Sequence, residues 1–136
     1  MEKPIEVRIS AEDYGDGGNQ AEDLAAMLNL IKDKGIDSVN VSTGGVVSAV
    51  PKAFPGYQVP HAEIIKKLTG LPVVAGGLLT DPEEANGIIE QGKANQVFLG
   101  RELLRNPYWA LHASRVLGME LEWPAPYKVA DKRRAK

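Results

Sequence analysis

The sequence contains no cysteine, and this absence excludes disulfide bonds and metal sites built on thiolates. It also lacks an excess of basic residues, since 16 Lys and Arg stand against 18 Asp and Glu for a net charge of −2. Such a balance gives no reason to expect nucleic acid or an anionic membrane as a partner. No apolar run approaches the roughly 20 residues of a membrane span. The N-terminal stretch MEKPIEVRIS has no signal-peptide character, so we expect a soluble cytoplasmic protein.

What the sequence does contain is a strand–loop–helix unit that occurs four times. The β-rich segments are IEVRIS, DSVNVS, LPVVA and NQVFL, and each precedes a loop and a stretch of helical periodicity. The first helix is predicted from apolar residues at i, i+3, i+4 and i+7, which are Leu24, Met27, Leu28 and Ile31. Helix ends are predicted at Gly35, Gly70 and Gly92, and Asp81 before Pro82 predicts an N-cap. Strict alternation predicts parallel strands with right-handed crossovers.

The glycine-rich loops follow the C-terminal ends of the predicted strands, which is the polarity of a (β/α)8 barrel. A complete barrel of this kind needs eight units and about 250 residues, whereas four units are found here. Four strands rolled toward a barrel would leave two open edges and an uncovered inner face, which invite pairing with another chain. The predicted fold class is therefore α/β. Either a second half-barrel completes the structure, or the sheet opens into a flatter α/β sandwich.

Two regions are predicted along the chain. Residues 1–124 are expected to form one half-barrel domain. Residues 125–136, APYKVADKRRAK, lose the apolar period and end in a basic run, which is typical of a flexible terminus. The alternative is an arm, including Arg133 or Arg134, that reaches a partner subunit.

The stretch VFLGRELLRNPYWA places a Gly-Arg pair where the last strand becomes a helix. A helix N-terminus binds anions, and Gly100 would let a phosphate approach the backbone there. Arg101 adds a planar guanidinium group that can bind two phosphate oxygens. Gly76 and Gly77 end the neighbouring strand, and barrels commonly hold phosphate at the last two strand ends. The pattern predicts a phosphate-monoester site. The alternative is a simple turn at Gly100 with Arg101 paired to Glu102.

Two further residues are candidates for the same site. Arg8 lies in the middle of IEVRIS, and a guanidinium inside a barrel needs an anionic or carbonyl-bearing partner. The alternative is an outward-facing surface arginine. Thr43 follows the second strand, where its hydroxyl could donate to a ligand or serve only in a turn.

Four stretches in this order resemble the C-terminal half of the old yellow enzyme family: VRISAEDY, VSTGG with FPGYQV downstream, VAGGLLTDPEEA and FLGRELLRNPYWA. The similarity extends over about residues 5–123 and is greatest to the bacterial NADPH dehydrogenases and ene-reductases. It implies the C-terminal half of an FMN-dependent (β/α)8 barrel that passes hydride from NAD(P)H through flavin to activated alkenes. The cofactor-binding residues that it implies are Arg8, Thr43, Gly76, Gly77, Gly100 and Arg101.

Within this resemblance, Arg8 matches an arginine beside the N1–C2 carbonyl edge of the flavin. Gly100, Arg101 and Gly77, with Gly76 beside it, match the positions that hold the FMN phosphate. Thr43 is similar to a small hydroxyl residue near the cofactor. A cation beside N1 favours reduced flavin, so the match agrees with physical expectation.

The resemblance also shows what this sequence leaves out. In the family, the N-terminal half carries the substrate-binding pair and the tyrosine that protonates the substrate, so no catalytic residue is assigned here. His61 and His112 are interpreted as surface or packing residues, and no motif gives Tyr14 or Tyr57 the role of proton donor. Whether the isolated chain is an enzyme is left open, and we expect it to be inactive.

The expected partners are FMN and either a complementary N-terminal half-barrel or a second copy of the chain. A second hypothesis is a self-associating, non-catalytic half-barrel that binds a phosphate ligand. A third is an enzyme acting on a sugar phosphate, against which stands the lack of an acid–base pair or lysine at a strand end.

Overall fold

A computed structural model describes residues 3–131, which form a single four-stranded parallel sheet with helices on one side. Its strands are β1 (Glu6–Ser10), β2 (Ser38–Ser42), β3 (Val73–Ala75) and β4 (Gln96–Val97). They lie in the order β1-β2-β3-β4, and every neighbouring pair is parallel. The predicted α/β class with four βα units is confirmed. An order that follows the chain without reversal is that of a barrel segment, because a doubly wound sheet reverses its order at a switch point.

The helices are α1 (Ala21–Ile31), α2 (Val59–Thr69), α3 (Pro82–Glu90), α4 (Arg101–Arg105), α5 (Trp109–Val116) and α6 (Lys128–Asp131). A 3-10 turn at Lys32–Lys34 extends α1 to Gly35, which has a φ of 99°, and Gly70 ends α2 with a φ of 72°. Asp81 caps α3 by accepting bonds from the backbone N–H groups of Glu83 at 2.8 Å and Glu84 at 2.9 Å. These predicted helix ends are confirmed.

The core lies between the sheet and the helices. Val39 and Val41 of β2 and Val73 of β3 are fully buried there together with Ile65 of α2. The face that α1 buries agrees with the prediction in part, because Leu28 is buried and Leu24 packs against the core, whereas Met27 and Ile31 are about half exposed and two alanines are buried instead. Small alanine side chains let the helix backbone approach the sheet closely, so the helix turns its alanine stripe and Leu28 inward and turns Met27 and Ile31 outward.

The other face of the sheet, which would be the interior of a closed barrel, carries polar side chains. Arg8 of β1 is in register with Asn40 of β2, and both side chains lie on this inner face. In the described part of the chain, strands β1 and β4 each have a strand neighbour on one side only. Within residues 3–131, no helix has the length and apolar character needed to cross a membrane.

The last βα unit has a shorter strand and a more interrupted helix than its sequence pattern predicts. Of the predicted strand NQVFL only Gln96–Val97 has regular strand geometry, although the N–H groups of Asn95 and Phe98 still donate to the carbonyl oxygens of Val73 and Ala75. The final helical stretch divides into α4 and α5 at Asn106-Pro107. Proline restricts the residue before it to extended conformations, so the helix ends there. The indole N–H of Trp109 then donates to the carbonyl oxygen of Thr80 at 2.6 Å, which fastens α5 beside α3.

The C-terminal segment begins with a 3-10 turn at Ala125–Tyr127 and continues into α6. Residues 132–136, including Arg133 and Arg134, lie outside the described residues. The division at residue 124 and the flexible tail stay predictions.

Candidate cofactor-binding site

A cleft of about 310 Å³ lies at the C-terminal ends of the strands, and we call it the strand-end cleft. Its size is at the lower end of the range for small-molecule sites. Five of the six residues predicted from the sequence line it together, although they come from four different βα units: Arg8, Thr43, Gly77, Gly100 and Arg101.

Arg101 is the first residue of α4, and its side chain is exposed at the cleft. Within residues 3–131 it forms no hydrogen bond or ion pair. Glu102, which could have paired with it, is instead held by Arg105, whose Nη2 lies 2.9 Å from the carboxylate. The simple pairing of Arg101 with Glu102 is therefore wrong, and the guanidinium of Arg101 is available to an anion.

The two glycines that line the cleft have different surroundings. A Cβ on Gly100 would meet no protein atom within 4 Å, so its α-carbon faces open space that a ligand can enter. Gly77 has a φ of 98°, and a Cβ there would lie 2.8 Å from the ring of Tyr57. Gly77 is thus fixed by its own backbone and neighbours, whereas no protein atom accounts for the absence of a side chain at Gly100.

Arg8 projects from the inner face of the sheet into the cleft. Its Nη1 donates to Asn40 Oδ1 at 2.8 Å, and Asn40 Nδ2 donates in turn to Glu6 Oε1 at 3.2 Å. Its Cζ lies 5.0 Å from the centre of the Phe98 ring. The outward-facing alternative is wrong, and the carbonyl-bearing partner expected for this arginine is Asn40.

Thr43 is buried at the end of β2, and its hydroxyl takes part in a network of hydroxyl groups around one amide. Thr43 Oγ1 accepts from Tyr14 Oη at 3.0 Å and from Gln58 Nε2 at 3.5 Å, so its own proton is left as a donor. Gln58 is only 4% exposed, and its Oε1 has no hydrogen-bond partner in the described part of the chain.

Gly76 is the predicted residue that lies outside the set lining the cleft. A Cβ on Gly76 would lie 2.7 Å from both the carbonyl oxygen and Cζ of Phe98. Real Cβ contacts are not this short, so Gly76 is required by the packing of Phe98. Approach of a ligand to its backbone is not needed to explain it.

The side chains of the cleft combine positive charge with apolar surface. Three arginines line it, Arg8, Arg101 and Arg105, against one glutamate, Glu102. Leu78 also lines it and has a φ of 55°, a left-handed conformation that is strained for a leucine and that is found mainly at functional sites. Together these groups suit a ligand that has both an anionic group and a flat apolar body.

Sequence patterns did not single out Leu78, Phe98, Asn40 or Gln58. Leu78, Gln58 and Phe98 stand within the quoted stretches VAGGLLTDPEEA, FPGYQV and FLGRELLRNPYWA, so their signal was the resemblance and not a local rule. Asn40 could have been found by aligning β1 with β2, because the two strands pair Arg8 with Asn40.

The histidines lie away from the strand-end cleft. His61 of α2 is half buried and packs edge-on against Tyr14, with ring centres 6.4 Å apart. Burial lowers the pKa of His61 from its ordinary value, although the nearby carboxylates of Glu12 and Glu22 act in the opposite direction. His112 is exposed on α5. Both placements fit the surface or packing roles expected for them.

The fold and this cleft define half of a barrel with three arginines around the C-terminal ends of its strands. The NADH:flavin oxidoreductase / NADH oxidase family matches residues 1–120, and the chain belongs to that family. The chain is 46% identical over 125 residues to an NADPH dehydrogenase of Geobacillus thermodenitrificans. It is 45% identical over 129 residues to one of Listeria monocytogenes and 43% identical over 130 residues to one of Clostridium acetobutylicum.

These alignments cover 92% to 95% of this chain but only 37% to 38% of the three relatives, so the chain spans less than two fifths of their length. The recognition made from the sequence is confirmed, and so is the fold as half of a TIM barrel. The family description names flavin and NADH, and the relatives are named for NADPH, which agrees with the predicted FMN and NAD(P)H.

Proposed function

We propose that this chain is the cofactor-phosphate half of an FMN-dependent oxidoreductase. Gly100, Arg101 and Gly77 hold the FMN phosphate, Arg8 lies at the N1–C2 edge of the flavin, and Thr43 donates its hydroxyl to the cofactor. When bound, FMN supplies hydride transfer between NAD(P)H and an activated alkene. Family membership and the NADPH dehydrogenase relatives support the cofactor and the electron donor.

The observation that carries this proposal is the unpaired Arg101 beside the open α-carbon of Gly100. A guanidinium and exposed backbone N–H groups at one point are the usual means of binding a phosphate. Arg8 stands in the same cleft, held by a neutral amide and not by a carboxylate, so its positive charge is not neutralised by its nearest partner. A cation in this position favours the reduced form of a flavin.

The same chain has features that favour a partner on its open side. Strands β1 and β4 are edges, and the helices that follow them expose large apolar residues, with Leu30 of α1 at 81% and Leu104 of α4 at 83%. Exposed strand edges and apolar surface are typical of an interface. A complementary N-terminal half-barrel that covers them is the partner we propose, and the isolated chain is expected to catalyse little without it.

A direct test is a titration of the purified chain with FMN, followed by flavin fluorescence, with NADPH oxidation measured in parallel. The proposal expects saturable FMN binding that inorganic phosphate weakens, together with negligible NADPH oxidation. FMN binding that phosphate leaves unaffected would contradict the phosphate site. Turnover comparable to an intact ene-reductase would contradict the need for a second half.

The second candidate is a self-associating, non-catalytic half-barrel that binds a phosphate ligand. The two open edges favour it, because β1 of one copy could pair with β4 of another. Sedimentation equilibrium separates the candidates. A concentration-dependent dimer without flavin affinity supports self-association, whereas a monomer that binds no apolar dye excludes it.

A further inference from the structure

Phe98 lies in an unusual place for a large apolar residue. Its two neighbours, Val97 and Leu99, pack against the core between sheet and helices. Because side chains alternate along an extended strand, Phe98 points to the opposite face, into the strand-end cleft. The ring is therefore not part of the main core and needs another explanation.

The ring of Phe98 crosses the sheet from β4 toward β1. It passes over β3 at Gly76, where a Cβ would lie 2.7 Å from Phe98 Cζ and 2.8 Å from Cε1. On the far side it faces Arg8, whose Cζ is 5.0 Å from the ring centre. Only a residue without a side chain at position 76 allows this crossing.

Arg8 is consequently restrained from two directions. Asn40 accepts a hydrogen bond from Nη1 at 2.8 Å, and Phe98 offers its ring at cation–π distance. An arginine side chain that is largely exposed would otherwise sample many rotamers, at a cost in entropy whenever it must bind.

We propose that Phe98, with the space that Gly76 leaves for it, is a positioning residue that orients Arg8 toward a ligand in the cleft. The orientation of Arg8 is independent of which ligand binds. The effect of this orientation on flavin binding rests on the proposed function. Phe98 then strengthens binding of the flavin ring without contributing to the phosphate site.

The orientation is tested on the free chain by NMR. The side-chain resonances of Arg8, assigned by their loss in Arg8→Lys, are expected to be shifted upfield by the ring current of Phe98. Phe98→Leu should remove this shift. The sequence contains two phenylalanines, so Phe54→Leu, at an exposed position outside the cleft, is a matched control that should retain it. An unchanged Arg8 shift in Phe98→Leu overturns the proposal, whether or not the chain binds flavin.

The effect of Phe98 on flavin affinity is tested with riboflavin and FMN as separate probes. Phe98→Leu should raise both dissociation constants by the same factor, about two- to fivefold, because an exposed cation–π contact is worth about 0.5–1 kcal/mol. In an Arg8→Leu background, Phe98→Leu should have no further effect, since the two residues act as one unit. An equal loss in both backgrounds indicates a merely structural role and overturns the proposal. Failure of the chain to bind either flavin refutes the proposed function, and the NMR result alone then decides the role of Phe98.

Gly76→Ala adds a second, independent perturbation. The new methyl group overlaps both the ring and the backbone carbonyl oxygen of Phe98, so residue 98 as a whole must move away, and the upfield shift of Arg8 should fall as it does in Phe98→Leu. Phe98→Leu introduces no steric overlap, so it keeps the test valid if Gly76→Ala does not fold. A folded Gly76→Ala with an unaltered Arg8 shift contradicts the role given to Gly76.

Discussion

Replacing Arg101 with alanine should weaken FMN binding and leave riboflavin binding unchanged, because the two ligands differ only in the phosphate. Arg101 has no partner within residues 3–131, so its removal leaves no protein group unsatisfied and the loss measures its contact with the ligand. A hydrogen bond to a charged group is worth about 1.5–3 kcal/mol, and solvent exposure of Arg101 reduces this to about 1–2 kcal/mol. The FMN dissociation constant should therefore rise about five- to thirtyfold.

The matched control is Arg105→Ala, which removes the same charge from the same short helix. Arg105 is already held by Glu102 at 2.9 Å, so its side chain is committed to the protein. The variant loses the longer-range attraction of Arg105 for the phosphate and leaves the charge of Glu102 unpaired, but it loses no direct contact with the phosphate. The dissociation constant should therefore change by less than about threefold, and this change should shrink as salt is added.

The assay is quenching of flavin fluorescence, with FMN and riboflavin titrated into wild-type chain and both variants. An Arg101→Ala chain that binds FMN as tightly as the wild type would refute the phosphate site. An equal loss of affinity for riboflavin would also refute it, because the effect would then arise from the fold or from the flavin ring.

Three further predictions concern stability. Trp109→Phe removes the 2.6 Å hydrogen bond to the carbonyl oxygen of Thr80 and should lower the free energy of unfolding, measured by urea titration, by about 1–2 kcal/mol. An unchanged urea midpoint would show that this hydrogen bond does not hold α5 in place. Asp81→Ala removes the N-cap of α3 and should cost about 1 kcal/mol, with Asp81→Asn close to wild type in the same titration. Burial lowers the pKa of folded His61, so the unfolded chain binds more protons, and stability should fall as pH drops below the ordinary value of 6.5. His61→Gln should reduce that fall between pH 7.5 and 5.5, and an identical pH dependence in both proteins would contradict it.

Much of the fold follows from local rules that apply to a few consecutive residues. The glycines predicted to end helices do so in left-handed conformations at Gly35 and Gly70, and Asp81 caps α3 through its own side chain. Each of these depends on a few consecutive residues. The buried face of α1 was less predictable, because the choice between the alanine stripe and Met27 depends on how closely the helix approaches the sheet.

The residues of the candidate site likewise divide into those that the sequence predicts and those that it does not. Thr43 and Arg101 were predicted because parallel strands end at one edge, which brings residues from distant parts of the chain together. Arg8 was predicted because a guanidinium in the middle of a barrel strand needs an anionic or carbonyl-bearing partner. Phe98 and Asn40 were missed because their contacts with Arg8 depend on strand register and on the reach of a ring across β3. Neither is visible in the residues around them.

The open inner face of the sheet affects the strength of the electrostatic interaction between Arg8 and a bound flavin. Arg8 stands on a sheet that lacks a strand neighbour at both edges, so water reaches its guanidinium. Two unit charges 4 Å apart interact by about 1 kcal/mol in water and by about 4 kcal/mol at the effective dielectric of a protein surface. A complementary half-barrel would therefore raise the influence of Arg8 on a bound flavin even without touching it. Arg8→Leu, which removes the charge, should consequently cost more flavin affinity in the presence of that half than in its absence, and an equal cost in both states would show that the closed barrel leaves the surroundings of Arg8 unchanged.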